Sequence, residues 1–345
     1  MRNYKILLCI AAAGLSFAAC NNHYDENEHG TPSDPRAISF DVAVPKTARA
    51  ATTSQTIREF RVWAFAQGKP FMSNIKVSRD ENSPWTYSPT MYWPLNQTLN
   101  FYCVSPEIST GVRLERDGRD ADIPGFVNRE GKTDLLYAVN IGESKSPVHV
   151  NFRHALSQIN FNVKRATRTS HMLKVEVNAV DLLGTYHQGD FEYPDRTTAP
   201  DSRDRGEWDN QTGLRDASIY GGGDMITLLN DKAERANNTG YIFAIPQELL
   251  ESKPDHSGGA YVRVLCSIYD QQTNLKLWPP RELQEAATES GYIYFPLNRD
   301  ARIDEWEPGK FYNYTLTIDV PESASAISFD VTVDDMNDFK TDLDL

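Results

Sequence analysis

The feature that most constrains the fold is a succession of short runs in which β-branched or aromatic residues alternate with polar ones, from residue 37 onward. An extended strand points successive side chains to opposite faces, so this period of two predicts strands with one buried face. Helical periodicity is nearly absent, and only residues 280–287 are expected to form a turn or two of helix. The pattern therefore predicts an all-β chain of the β-sandwich type, with strands over residues 38–44, 60–65, 100–104, 148–152, 158–163, 173–177, 241–245, 261–269, 292–297 and 312–320.

The length of the chain, 345 residues, exceeds what one hydrophobic core usually serves, and this predicts two domains. A polar break at 165–170 separates two strand signals and is the expected boundary. It gives an N-terminal β-sandwich domain over 37–165 and a C-terminal one over 171–345. The charged, glycine-rich stretch 195–240 is expected to be a surface loop of the second domain.

Residues 1–19 have the composition of an export signal. Arg2 and Lys5 precede the apolar run 6–15, and small residues follow. The run is too short to span a bilayer as a mature helix. A cysteine directly after two alanines resembles the lipobox of bacterial lipoproteins, which implies cleavage between Ala19 and Cys20 and diacylation of Cys20, with palmitate as an expected acyl chain. The alternative is an ordinary signal peptide followed by an incidental cysteine.

The stretch that follows Cys20 is polar, acidic and without periodicity. It is expected to be a flexible tether over residues 20–36. The formal net charge of the whole chain is −13 at pH 7, which argues against nucleic acid and anionic membrane surfaces as partners, because both need basic patches.

Motifs for chemistry are missing from the sequence, so no catalytic, cofactor or metal site is predicted and the protein is not expected to be an enzyme. Asp334, Asp335 and Asp338 lack the glycine turn of an EF-hand loop, so a solvated strand edge is favoured over a cation site. Cys103 and Cys266 lie in strand-like runs far apart, which favours buried free thiols over a disulfide.

An aromatic set occurs between residues 85 and 93, and it permits two interpretations. It could form a platform for sugars, or it could pack in the core and at corners of the sheet. The spacing and the neighbouring prolines favour packing. The members are Trp85, Tyr87, Tyr92 and Trp93.

The two ends of the chain carry nearly the same strand. Residues 37–44 read AISFDVAV and residues 326–333 read AISFDVTV, so only Ala43 and Thr332 differ. One interpretation is coincidence, or two equivalent strands in two similar sandwiches. The other is strand exchange, in which the first strand is displaced and the last strand of a neighbouring copy takes its place. The inward residues are Ile38, Phe40, Val42 and Val44 in the displaced strand and Ile327, Phe329, Val331 and Val333 in the donor strand.

Displacement of the first strand needs a cut in the chain. Residues 45–54 are small, polar and unpatterned, which predicts an exposed loop directly after this strand. Proteolysis concentrates at such loops. Arg49 is the preferred basic site and Lys46 the second choice, although either residue could simply be a solvated charge.

A set of short segments is spread over nearly the whole chain after residue 20, at 85–89, 92–94, 133–138, 152–159, 184–186, 245–247, 306–312 and 333–335. Together these segments resemble the fimbrillin family, the two-domain subunits of lipoprotein-derived type V pili. The resemblance implies two transthyretin-like β-sandwiches in tandem, export as a lipoprotein to the outer membrane surface, cleavage after a basic residue at the position of Arg49, and polymerisation by a donated C-terminal strand. The chain departs from the family at two places: Met336 stands where many relatives carry Trp, and the segment 337–345 after it is short. A subunit unable to donate its C-terminal strand would be a tip or accessory pilin.

The sequence therefore predicts a structural fimbrial subunit, major, accessory or tip, whose partners are other pilin subunits and, before processing, the outer membrane through the lipid on Cys20. Its final location would be the fimbrium. The alternative is a surface-exposed monomeric lipoprotein that binds a glycan or a host protein through the aromatic set or through residues 195–240.

Overall fold

The computed structural model describes residues 34–45, 52–81, 83–114, 120–167, 172–201, 203–237, 240–253, 255–298, 303–321 and 328–336. The expected signal peptide, Cys20 and most of the tether lie outside these residues. The all-β prediction is confirmed, and residues 280–287 contribute only a short 3-10 helix, Arg281–Leu283. Within the described part of the chain, no helix is long and apolar enough to cross a membrane.

The described strands are numbered in their order along the chain. They are β1 (Phe40–Ala43), β2 (Glu59–Ala66), β3 (Lys69–Ser78), β4 (Thr86–Tyr87), β5 (Leu99–Ser105), β6 (Arg113–Leu114), β7 (Ala121–Val127), β8 (Leu136–Glu143), β9 (Val148–Asn151), β10 (Arg153–His154), β11 (Ser157–Arg165), β12 (Leu173–Glu192), β13 (Glu207–Tyr220), β14 (Ile226–Leu228), β15 (Glu234–Arg235), β16 (Ile242–Ala244), β17 (Gln247–Glu248), β18 (Tyr261–Asp270), β19 (Lys276–Trp278), β20 (Gly291–Pro296), β21 (Glu305–Trp306), β22 (Lys310–Ile318) and β23 (Ser328–Asp335).

The N-terminal half contains an antiparallel sheet with the strand order β10-β8-β5-β2-β3-β4. A separate parallel pair, β1 with β9, lies against one face of this sheet, because the side chains of both groups share one core. Successive side chains of a strand point to opposite faces of the sheet, so alternate residues lie in different cores. In β2, Phe60 and Val62 belong to that core, whereas Trp63 and Phe65 point to the opposite face.

The C-terminal half is built around two sheets, of five and eight strands, that enclose a second core. One has the order β15-β11-β22-β23, with β16 also on β11, and the other has the order β19-β18-β12-β7-β6. β11 pairs in parallel with β22 along its whole length, from Gln158↔Phe311 to Arg165↔Ile318. Hydrogen bonding of β11 thus joins residues on both sides of the expected boundary at 165–170, and the division into two tandem domains stays a prediction.

The strand β12 is much longer than the predicted segment 173–177. Its first half pairs with β18 and β14, and its second half pairs with β13 and with β7 of the N-terminal half. The prediction of a loop over 195–240 was wrong, because β13 and two shorter strands lie within it. The side chains of β13 are mostly exposed, so the strand lacks the apolar alternation that marks a half-buried one.

A third cluster of buried side chains lies between the two cores. It joins the outward face of the N-terminal sheet to residues from β12, β13 and the segment around β16, including Trp63, Tyr102, Tyr137, Phe191, Trp208 and Phe243. The expectation for the two cysteines is confirmed, since Cys103 and Cys266 are free thiols, buried in the N-terminal and C-terminal cores respectively.

Candidate functional site

The candidate site is the place that β1 occupies in the N-terminal half. The backbone of β1 runs parallel to β9, and the amides of Val148 and Phe152 donate to the carbonyls of Ser39 and Ala43, both at 2.8 Å. Just before β1, the amide of Ile38 donates to the carbonyl of Met91 at 2.9 Å. The strand is therefore inserted between β9 and the segment around residue 91.

The inward side chains of this first strand lie deep in the N-terminal core. Ile38 is fully buried and Val44 is 2% exposed, while Val42 packs against the core from a half-buried position. The ring of Phe40 meets Phe60 edge-on at a centroid distance of 5.7 Å. The four residues predicted to form the displaced strand thus fill one continuous groove.

The outer face of β1 carries a polar residue. Asp41 is 68% exposed and lies 3.2 Å from Nδ1 of His149, which is exposed to a similar degree. An ion pair in so much solvent contributes little to stability. The attachment of β1 therefore depends on its inward side chains and on its backbone hydrogen bonds.

Most of the aromatic set lines this groove, as the packing interpretation expected. The phenol of Tyr87 donates to the carbonyl of Ile38 at 2.8 Å, and burial raises the pKa of Tyr87 to about 12. Trp85 packs edge-on against Phe60, and Trp93 against Phe101. Tyr92 is 49% exposed, with the guanidinium of Arg36 over its ring.

Two serines hold the ends of the inserted segment, and the sequence pattern gave no sign of them. The Ser146 hydroxyl donates to the carbonyl of Ala37 at 2.7 Å and accepts from the amide of Ser39 at 3.0 Å. At the other end, the Ser54 hydroxyl accepts from the amide of Val44 at 2.8 Å and donates to its carbonyl at 2.9 Å. A hydroxyl can do both because it is donor and acceptor at once, but long-range pairs of this kind leave no local periodicity.

The predicted processing residues, Lys46 and Arg49, lie outside the described residues. The chain is described up to Pro45 and again from Thr52. Both flanks of this interval are tied together, because Ser54 holds the backbone of Val44.

The predicted donor strand corresponds to β23, which lies at the edge of a C-terminal sheet. It pairs antiparallel with β22 from Thr317↔Ser328 to Lys310↔Asp335. Val331 packs against the C-terminal core, whereas Val333 is 44% exposed. Ile327 and the side chain of Phe329 lie outside the described part of the structure. The two matching strands therefore occupy different places in the molecule and are buried to different extents.

The end of β23 is held by charged groups. Oδ2 of Asp335 accepts from Nη2 of Arg205 at 2.5 Å and from Nζ of Lys310 at 3.2 Å. Met336, at the position where the expected tryptophan is missing, is 1% exposed, and its amide donates to the carbonyl of Gly309 at 2.7 Å. Asp335 thus has a structural role, because it pairs with the basic side chains of both Arg205 and Lys310. Among the described residues, no group of three or more His, Cys, Asp or Glu side chains is placed to hold a metal ion.

An open cleft of about 1100 Å³ lies beside this charged end. Its lining is mostly polar and charged. It includes Arg203 and Glu207, which belong to the stretch 195–240, together with Glu305 and Glu307. Burial and neighbouring carboxylates raise the pKa of Glu192 on its wall.

Comparison with known proteins gives a family and a fold. No curated protein matches the chain significantly. Among solved structures, the chain resembles a fimbrial protein from Bacteroides vulgatus, with 16% identity, coverage of 87% of this chain and 99% of that chain, and a TM-score of 0.54. It also resembles a protein from Bacteroides uniformis assigned provisionally to cell adhesion, with 14% identity, the same two coverages and a TM-score of 0.50. At these identities the likeness shows the fold.

A family profile described as fimbrillin-like matches residues 47–335. The match begins just after the first strand and ends with β23, so it includes both halves of the molecule. Since it covers well over half of the sequence, the chain belongs to the fimbrillin-like family, as its sequence motifs predicted.

Proposed function

We propose that this chain is a structural subunit of a surface fimbria that joins other pilin subunits by strand exchange, without catalytic chemistry. It would reach the outer membrane as a lipoprotein anchored through Cys20. A cut after Arg49 would then separate β1 from the rest of the chain, and the matching strand of a neighbouring copy would fill the vacated groove. One observation carries the proposal: the residues that fill the groove recur, in the same order and spacing, over residues 327–333 of the sequence.

The groove offers enough binding energy for such an exchange. Burial of four apolar side chains of this size is worth on the order of 6–12 kcal/mol before entropy is subtracted. Main-chain hydrogen bonds to β9 add affinity that does not depend on the side chains, while the pockets for alternate side chains supply specificity.

The two matching strands differ in how deeply their last valine is buried in the present structure. Val44 is 2% exposed in its place, whereas its counterpart Val333 is 44% exposed in β23. Transfer of β23 into the groove of another copy would bury this valine, which is worth on the order of 1 kcal/mol. The cost is the ladder with β22 and the contacts of Asp335, which must break first.

A covalently attached β1 competes strongly with any incoming strand, because its effective concentration at the groove is far above that of a separate molecule. Cleavage between β1 and β2 removes this advantage. The uncut lipoprotein is therefore the storage form in this proposal, and the lipid anchor leaves with residues 20–49.

Limited digestion with an arginine-specific protease tests the proposal, with gel filtration and electron microscopy before and after cleavage. We expect a cut at Arg49, release of the N-terminal fragment and formation of polymers. Arg49→Ala should stay monomeric under the same treatment, and Lys46→Ala, the matched control, should still polymerise. Equal polymerisation of Arg49→Ala and the natural chain would refute activation at this residue.

Lipid attachment is tested separately by growth with a palmitate analogue that can be labelled. The natural chain should carry the label before processing and lose it afterwards, and Cys20→Ala should never carry it. Label that survives cleavage at Arg49 would contradict the release of the anchor.

A second candidate function is a tip or accessory subunit that accepts a strand without donating one. The observation that favours it is β23 itself, which completes its own sheet over eight residues and is held at its end by Asp335. Ile327→Asp with Phe329→Asp distinguishes the two roles in a mixture with natural chains. A donor subunit loses polymerisation with this change, whereas a subunit that only accepts keeps its place at one end of the fibre.

The third role to be tested is that of a monomeric surface protein that binds glycan or host protein. The open cleft with Arg203 and Glu207 on its lining is the observation in its favour. Under this proposal the cut chain stays monomeric and a glycan array gives a specific signal that Glu207→Gln weakens.

A further inference from the structure

A histidine and two arginines, His187, Arg215 and Arg129, lie near one another where β12 and β13 meet the turn after β7. His187 of β12 lies between the pairs Tyr186↔Leu214 and Gln188↔Thr212, which places it opposite Gly213 of β13. Thr185 pairs with Arg215. Residues two apart share a face of a sheet, so His187 and Arg215 lie on the same face.

Glycines make room for both side chains. Gly213 has φ +71°, and a Cβ there would come within 2.6 Å of Cε1 of His187. A Cβ on Gly131, in the turn after β7, would lie 3.2 Å from Nη2 of Arg215. The imidazole and the guanidinium therefore approach the backbone only because neither position carries a side chain.

His187 and Arg215 each have one polar atom that is buried without a hydrogen-bond partner. His187 is 8% exposed, and its Nδ1 has no hydrogen-bond partner. Nε of Arg215 is likewise buried without one. Buried polar groups are nearly always hydrogen-bonded, so two such atoms on the same face of the sheet need an explanation.

The charges around the cluster have the same sign. Burial lowers the pKa of His187, the positive charges of Arg215 and Arg129 add to this effect, and a contact with the backbone of Gly213 opposes it. Burial and the charge of Arg129 also lower the pKa of Arg215. Among the described residues, neither arginine has an acidic partner, and the adjacent Glu130 is paired with Lys132 at 2.8 Å.

We propose that Arg129, Arg215 and His187 form a binding site for a single oxyanion, sulfate or phosphate, either free or as the charged group of a larger acidic ligand. The guanidinium fork donates to oxyanions in a fixed geometry, and a charge-assisted hydrogen bond is stronger than a neutral one. A bound oxyanion supplies acceptors for the unpartnered donors and offsets the mutual repulsion of the cations. In a chain with a net charge of −13, two neighbouring arginines without acidic partners are otherwise unexpected.

Calorimetric titration of the full-length chain with sodium sulfate and sodium phosphate tests the site, with sodium chloride at equal ionic strength as the blank. The natural chain should bind one equivalent saturably. Arg215→Gln should weaken binding at least tenfold, and so should Arg129→Gln, whose exposed side chain leaves the core untouched. Arg281→Gln removes the same charge from the remote 3-10 helix and should bind as the natural chain does.

Gly213→Ala tests whether binding needs the space that Gly213 leaves for the ring of His187, because a methyl group there displaces the imidazole without any change in charge. It should weaken binding as well. Titration with galactose 6-sulfate distinguishes the two sources of the anion, with uncharged galactose as the control. Tighter binding of galactose 6-sulfate than of sulfate indicates a larger acidic ligand. Equal binding of the two indicates the free ion. No saturable binding beyond the chloride blank, or equal affinity in Arg129→Gln and Arg281→Gln, would overturn the proposal.

Discussion

At the scale of the residue, Phe40 is the side chain on which the retention of β1 depends most. Its ring lies edge-on to three others, those of Phe60, Tyr87 and Phe101. Edge-to-face contacts add to the free energy of plain area burial. The opposite face of the same strand, with the exposed Asp41, contributes little.

Phe40→Ala should therefore lower the free energy of unfolding of the uncut chain by about 3–5 kcal/mol, because the ring leaves a cavity that its neighbours fill only in part. Chemical denaturation followed by tryptophan fluorescence measures this. Asp41→Ala is the control and should stay within about 0.5 kcal/mol of the natural chain. A small effect of Phe40→Ala would show that β1 is not an integral part of the N-terminal core.

His187 gives the stability of the chain a dependence on pH. Burial is the main cause of its lowered pKa, so the folded state holds the proton less tightly than the unfolded state, whose pKa is near 6.5. Its contribution to stability is then fully present above pH 6.5 and is lost as the pH falls through the lower, folded-state pKa.

His187→Gln should flatten the fall in melting temperature between neutral and mildly acidic pH, as measured by differential scanning fluorimetry. His149→Gln is the control, since the ring of His149 is 67% exposed, and its profile should follow that of the natural chain. If the two variants behave alike, burial of His187 has no part in the acid response.

Asp335 is the third residue with a measurable role, because it holds the end of β23. Asp335→Asn removes the charge that Arg205 and Lys310 share and should cost about 1 kcal/mol, since all three groups are partly in solvent. Hydrogen exchange of the β23 amides should become faster, while that of the β11 amides stays unchanged. Unchanged exchange in β23 would show that the ladder alone holds the strand.

At the scale of the element, the groove and its matching strand can be studied with peptides. Once the chain is cut and β1 has left, a peptide with the sequence of residues 326–333 should raise the melting temperature of the remainder, as should a peptide of residues 37–44. A peptide of the same composition in shuffled order loses the alternation of apolar residues and should have no effect. Equal effects of the matching and shuffled peptides would rule out side-chain pockets as the basis of recognition.

The alternation of the sequence predicted strands well wherever one face is buried and the other is not. β18 and β22 lie close to their expected bounds for this reason. β12 was predicted far too short, because bulges at Val177/Ala179 and Leu182/Thr185 interrupt its period while the strand itself continues. β13 was missed because most of its side chains are exposed and a polar strand resembles a loop.

Contacts across long sequence distances explain what else the sequence did not predict about the site. The inward residues of β1 follow from periodicity, whereas the hydroxyl of Ser146 reaches Ala37 from more than one hundred residues away. Likewise, the ion pair of Arg205 with Asp335 joins parts of the chain that share no local pattern. Only the folded topology brings such pairs together.

At the scale of the whole molecule, the third cluster of side chains couples the two cores. Trp208 is one of its members: its indole Nε1 donates to the carbonyl of Ala155 at 2.7 Å, and its ring packs against Phe191 and Phe126. These partners come from strands on both sides of the junction. Both cores are therefore expected to unfold together.

Trp208→Ala should lower the free energy of unfolding by about 3–5 kcal/mol and split a single calorimetric transition into two. Leu214→Ala, a change on the same strand at a side chain that is 54% exposed, is the control and should leave one transition. A single sharp transition in Trp208→Ala would mean that β12 alone is sufficient to couple the two cores.

The positions of β1 and β23 also bear on the symmetry of an assembly built by strand exchange. The groove belongs to the N-terminal core and the matching strand to a C-terminal sheet, so each exchange contact joins two different surfaces. Copies that each donate to the next, without a strand returned to the donor, form an open, head-to-tail row in which every subunit points in the same direction. Such a fibre has two different ends. One end presents an empty groove and the other presents an undonated strand. The properties of these two ends determine from which side the fibre grows.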